Sequence, residues 1–107
     1  MDAAEKAAEV LAKMTREAGD VFPGYLAFTK KISDFGPIDH KTQELILLGC
    51  AMMSQCEMCI SLHAQGAASL GASREEIMQA AMLAISMGGS PKVMYMKYLF
   101  EEIEDLF

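Results

Sequence analysis

The sequence predicts an all-α, single-domain protein of about six helices that assembles as a homo-oligomer. Three observations carry this. Apolar residues recur at helical spacing and never alternate with period two over a convincing length. Glycines and prolines fall mostly where helices would end. Finally, 52% of the 107 residues are apolar and the mean hydropathy is positive, which is high for a small chain that must stay soluble alone. One domain over residues 1–107 buries roughly two-thirds of its unfolded surface, enough for a real core.

Taken in order, Ala4, Ala8, Leu11 and Met14 form the apolar stripe of a first helix that stops at Gly19. A second opens near Pro23 and carries Leu26, Phe28 and Ile32; "DFGPID" at 34–39 then breaks the chain. A third starts after Asp39 and runs through "TQELILLGCAMM", apolar on nearly every side after its first turn, and is therefore expected at the centre. Ser54, three residues before Glu57, has the spacing of a capping box, so a fourth helix is expected from about 55 to 70, stopped by Gly71. Ser73 and Glu76 repeat the pattern for a fifth, which ends at Gly88-Gly89. Ser90 and Pro91 fit the cap and first position of a sixth, running to about Asp105.

A formal charge of −6 argues against a nucleic-acid partner, because phosphate binding needs clustered cations and Lys30-Lys31 is the only adjacent basic pair. The start "MDAAEK" has no charged leader followed by an apolar run. The longest apolar stretch, 45–53, is too short to span a bilayer. A cytoplasmic protein without a membrane partner is expected. In that compartment three cysteines do not suggest a disulfide framework, and a CxxC pair reads as redox-active or metal-binding.

The chemistry concentrates in "SQCEMCISLH", residues 54–63. With Ser54 as cap, Cys56 falls in the first turn, where free N–H groups and the helix dipole favour a thiolate. Cys56, Cys59 and His63 then share one helix face at spacings of three and four. Bridging two cysteines three apart inside a helix requires local distortion, and a strained bridge is easily reduced, which suits a catalytic dithiol. An imidazole beside it can take a thiol proton and return it to a leaving group. The plainer alternative is that these are packed cysteines and a histidine satisfying one hydrogen bond. A third is a zinc site, C-x2-C-x3-H supplying three ligands, with only Cys50 and His40 left to add. Cys50 itself, alone in the most apolar helix, is expected to be a buried free thiol. Glu44 is either a partner of its helix dipole or a carboxylate that orients His63.

Glu44, Cys56, Cys59 and His63 together spell E-x11-C-x2-C-x3-H, and "MGGSP" at 87–91 precedes the last helix. In these features the chain resembles alkylhydroperoxidase D-like proteins of the carboxymuconolactone decarboxylase superfamily. The resemblance implies the alkylhydroperoxidase D-like fold, a homotrimer or homohexamer, and a thiol-dependent peroxidase or disulfide reductase with an antioxidant role. Its substrate would be a hydroperoxide or a disulfide and its reductant a thiol or dithiol, a protein among the candidates, with no cofactor or metal. It further implies that Cys59 attacks, that Cys56 resolves, and that His63 backed by Glu44 relays the proton. The dipole argument instead favours Cys56 as the more acidic thiol, whereas i,i+4 contact with His63 favours Cys59. Met58 stands where well-studied members place a second histidine, so one relay group is missing here. Met52, Met53 and Met58 either border the thiols or pack the core. Two other readings remain: a lyase like the superfamily's namesake, and a metal-binding helical oligomer.

Overall fold

Short polar caps start most of the helices, and left-handed residues stop several of them. In the computed structural model of the chain, which describes residues 2–107, the elements are α1 (Ala3–Glu17), α2 (Val21–Asp34), α3 (His40–Ser54), α4 (Glu57–Ser69), α5 (Arg74–Gly88) and α6 (Ser90–Leu106), with no strand among the described residues. Asp39 caps α3 by accepting from the Thr42 N–H at 2.7 Å, and that bond holds its carboxyl below the usual carboxylate range. At α5 the expected capping box is complete: the Glu76 N–H donates to Ser73 Oγ at 3.0 Å, and the Ser73 N–H donates to Glu76 Oε1 at 2.9 Å.

Two boundaries differ from expectation. Ser54 is the last residue of α3, not the cap of α4; Gln55 takes a left-handed conformation (φ 54°, ψ 49°) and Cys56 is the cap. The hydrogen bonds explain why. The Cys56 N–H donates to Ala51 O and the Gln55 N–H to Met52 O, both at 3.2 Å, which is a Schellman ending with glutamine in the place glycine usually takes. At the other end of α4 the same motif uses Gly71, φ 93°, with the Ala72 N–H donating to Ala67 O at 2.9 Å. The cap of α6 is Gly89, at φ 73° and ψ −156°, one residue before the expected Ser90.

The core lies between α3, α4, α5 and α6. Leu48 and Met52 of α3 meet Ile60, Ala64 and Ala67 of α4, Ile77 and Ala81 of α5, and Leu99 of α6, all fully enclosed. The alanines keep side-chain volume low, so the four helices approach closely. One buried polar cluster ties α4 to α6: Ser61 Oγ donates to Glu102 Oε1 at 2.5 Å and Gln65 Nε2 donates to Glu102 Oε2 at 3.2 Å, with Glu102 only 8% exposed. Each polar atom there has a partner, which removes most of the cost of burying it.

The apolar stripes are covered less completely than their spacing suggests. In α1 the shielded residues are Ala3, Ala4 and Ala7, and the helix packs on α4, while Leu11 and Met14 are exposed. α2 buries only Phe22 and packs chiefly against α1; Phe28, Ile32 and the following Phe35, which is 92% exposed, face outward. Gln43 laces the connection to α3, its Nε2 donating to Ser33 O at 2.9 Å and Ile38 O at 2.7 Å. α3 is central on one side only. Ile46, Leu47, Cys50 and Met53 are exposed, so the expected burial of Cys50 is corrected: it faces a groove between α3 and α5. No helix among the described residues is long and apolar enough to cross a membrane.

The Glu102 cluster yields a first prediction. Glu102→Ala leaves the Ser61 hydroxyl and Gln65 amide short of an acceptor and is expected to cost about 1–3 kcal/mol in urea unfolding, whereas Glu101→Ala on the exposed side of α6 should be nearly silent. Equal effects would contradict this account of how α4 is anchored.

Candidate active site

The left-handed turn at Gln55 takes Cys56 out of the helical path, to an extended conformation (φ −109°, ψ 102°), while Cys59 remains in the first turn of α4. The pair therefore spans a cap and a helix position, not two interior positions. Their Cα atoms are 5.2 Å apart, within the usual disulfide range of roughly 4.4–6.8 Å, and Cys56 and Cys59 are joined as a disulfide. The expected distortion of a continuous helix is thus corrected, because the chain bends before the helix begins.

Cys56 Sγ also receives the Cys59 N–H at 3.2 Å, the bond a capping oxygen would take. The sulfur thus sits at the N-terminus of α4, where free N–H groups and the helix dipole favour negative charge. Both cysteines are half-buried, with Cys59 packed against the core.

One turn further along α4, His63 Nδ1 lies 2.8 Å from Glu44 Oε2 of α3. Both side chains are 27% exposed, so the pair is shielded but reachable from solvent. An ionised carboxylate only accepts, so the bond to Glu44 places a proton on Nδ1, and the lone pair of a neutral imidazole held this way is on Nε2. Glu44 thus has an imidazole on the neighbouring helix as its partner.

The four residues singled out from the sequence gather at the start of α4 and the facing turn of α3. The two extra zinc ligands do not. His40 Nδ1 lies 3.3 Å from Ser33 Oγ at the end of α2, and Cys50 lines the α3–α5 groove. Among the described residues no three of His, Cys, Asp and Glu are grouped to hold a metal ion. The methionines divide: Met52 is enclosed in the core, Met53 lines the groove, and Met58 is exposed in the first turn of α4 beside the bridge.

Two features were missed from the sequence. The groove of about 740 Å³ between α3 and α5, with Leu45, Cys50, Met53, Leu83 and Met87 in its walls, ends near Ser54 but includes none of the four site residues. Lys92 of α6 reaches across to donate from Nζ to Gln55 Oε1 at 2.7 Å, fastening the side chain of the turn that presents Cys56. Neither has a local motif, since each depends on how helices distant in sequence pack.

Comparison with known proteins agrees with this architecture. The chain is 34% identical over 82 residues to the Paracoccus denitrificans protein described as "uncharacterized protein 4 in cox locus", covering 77% of this chain and 74% of that protein. It superposes on the apo crystal structure of a carboxymuconolactone decarboxylase family protein from Legionella pneumophila with a TM-score of 0.87 and 32% identity, over 97% of this chain and 93% of that one. Residues 19–102 match the family model for the carboxymuconolactone decarboxylase family, so the chain belongs to that family.

Proposed function

We propose that the protein is a thiol-dependent oxidoreductase in which Cys56 and Cys59 cycle between dithiol and disulfide, reducing a hydroperoxide or a disulfide. The observation that carries this is the joining of a bridged CxxC at a helix start to a histidine four residues on, itself held by a carboxylate. A packing role for these residues would not call for a shielded His–Glu pair one turn from the bridge.

With a hydroperoxide, His63 Nε2 accepts the Cys59 thiol proton and the Cys59 thiolate attacks the terminal peroxide oxygen. The O–O bond breaks, the alcohol leaves with the proton from His63, and Cys59 becomes a sulfenic acid. The Cys56 thiolate attacks that sulfur; the S–O bond breaks, hydroxide leaves and takes a proton from solvent to become water, and the disulfide forms. An external thiol or dithiol, a small molecule or a protein, restores the dithiol by exchange. With a disulfide substrate the same two cysteines give up the same two electrons through a mixed disulfide. Glu44 holds His63 in the tautomer that leaves Nε2 available. The i,i+4 placement of Cys59 and His63 supports Cys59 as the attacking thiol, and the cap position of Cys56 supports it as the resolving one.

The reading extends to an antioxidant protein of the reducing cytoplasm, without nucleic-acid or membrane partners, assembled as a homotrimer or homohexamer. What supports assembly is the exposed apolar surface on α2 and around the α3–α5 groove, including Phe28, Phe35, Leu83 and Met87. So much uncovered apolar area is unusual for a monomer and typical of an interface.

Two expected outcomes test the proposal. Cys56→Ser or Cys59→Ser abolishes steady-state reduction of hydroperoxide and of disulfide, and His63→Gln lowers it by about 10²–10⁴-fold. A cysteine-free variant with full catalytic activity would overturn the redox reading in favour of a lyase like the family's namesake. In sedimentation, the particle weighs three or six times the 11.7 kDa chain, and Leu83→Glu or Phe28→Glu dissociates it; a wild-type monomer at micromolar concentration would contradict the assembly.

A further inference from the structure

Gly66 lies one turn after His63 in the interior of α4, and nothing in its backbone requires glycine. It does not end the helix, and positive φ among glycines is confined to Gly19, Gly71 and Gly89. A glycine inside a helix is less favourable than alanine, so it calls for another reason. The reason is visible across the helix pair. A Cβ on residue 66 would sit 2.7 Å from Glu44 Oε2, 2.8 Å from its Cδ and 3.3 Å from its Cγ, closer than carbon atoms approach without repulsion. At Gly24 and Gly36, by contrast, an added Cβ would meet nothing within 4 Å.

We propose that Gly66 is a positioning residue: its missing side chain is the seat in which the Glu44 carboxylate lies, and that seat holds Oε2 against His63 Nδ1. The inference rests on the proton-relay reading above. The seat and the histidine are i,i+3 on α4, so they lie side by side on one face, and Glu44 reaches from α3 over the glycine to the ring. The crowded atoms are the far end of a flexible side chain. A methyl group at 66 is therefore accommodated by the carboxylate swinging away: the helix survives, and the bond to His63 does not.

The test is Gly66→Ala, read in three ways on the reduced protein. Thermal unfolding is expected to be unchanged or shifted upward, as for any Gly→Ala change inside a helix. Imidazole ¹⁵N spectra are recorded in a His40→Gln background, where His63 is the sole histidine. They are expected to show the Nδ1–H tautomer when Gly66 is retained and the Nε2–H tautomer in the Gly66→Ala variant. Turnover is expected to fall about 10–100-fold, and in a Glu44→Ala background Gly66→Ala should have no further effect. An unchanged tautomer in Gly66→Ala overturns the proposal, whatever happens to stability. Should Gly66→Ala fail to fold, folding of the Glu44→Ala/Gly66→Ala pair supports the seat and failure of the pair overturns it. If the wild type proves to have no redox turnover, the functional reading fails, while the tautomer comparison still decides the role of Gly66.

Discussion

Gln55 adopts a left-handed conformation, and the geometry of the site follows from it. The turn ends α3, sends the chain back antiparallel along it as α4, and leaves Cys56 just outside the helix whose first turn holds Cys59. If the helix ran on through residue 56, two cysteines three apart would have to distort it to meet, and the Cys59 N–H would have no sulfur to cap. A non-glycine residue in this conformation costs roughly 1–2 kcal/mol, and the surroundings offset it: two backbone bonds close the Schellman ending and Lys92 holds the side chain. The placement of the two cysteines within bridging reach is thus a property of how a helix ends.

The second requirement is that α4 stay put on both sides. Its inner face is fixed by Ile60, Ala64 and Ala67 in the core and by the buried Glu102 cluster from α6. Its other face carries Cys59, His63 and Gly66 toward α3, where Glu44 completes the arrangement. Anchoring one face with packed alanines and satisfied polar groups leaves the opposite face free to hold a dithiol, an imidazole and a carboxylate in register. The bridge and the histidine lie within ten residues of sequence, but their arrangement draws on three helices.

Much of this was legible in the sequence. The six helices, the start of α3 after Asp39 and the capping box at Ser73 and Glu76 follow from spacing and cap chemistry, whereas spacing left Glu44 open between its helix dipole and His63, and only the family resemblance paired the two. The error at Ser54 has a physical source. Ser54 and Glu57 have capping-box spacing, but the Schellman bonds of Ala51 and Met52 end α3 one residue later, and no glycine marks the spot. Cys50 and the stripe of α1 misled for another reason: apolar periodicity says which residues seek cover, not whether the same chain supplies it. Gly66 carries no local signal at all, because its meaning depends on a side chain twenty-two positions earlier.

The central claim is that Cys56 and Cys59 form a working redox pair, and intact mass addresses it most directly. The reduced, metal-free protein is weighed before and after one equivalent of hydroperoxide and, separately, of a small disulfide, with Cys56→Ser and Cys59→Ser treated alongside. With Cys50→Ser in every sample to remove the exposed free thiol, the Cys56/Cys59 protein is expected to lose two hydrogens, Cys56→Ser to trap an added oxygen or a mixed disulfide at Cys59, and Cys59→Ser to trap no added oxygen. A mass of the Cys56/Cys59 protein unchanged by both oxidants would contradict the claim.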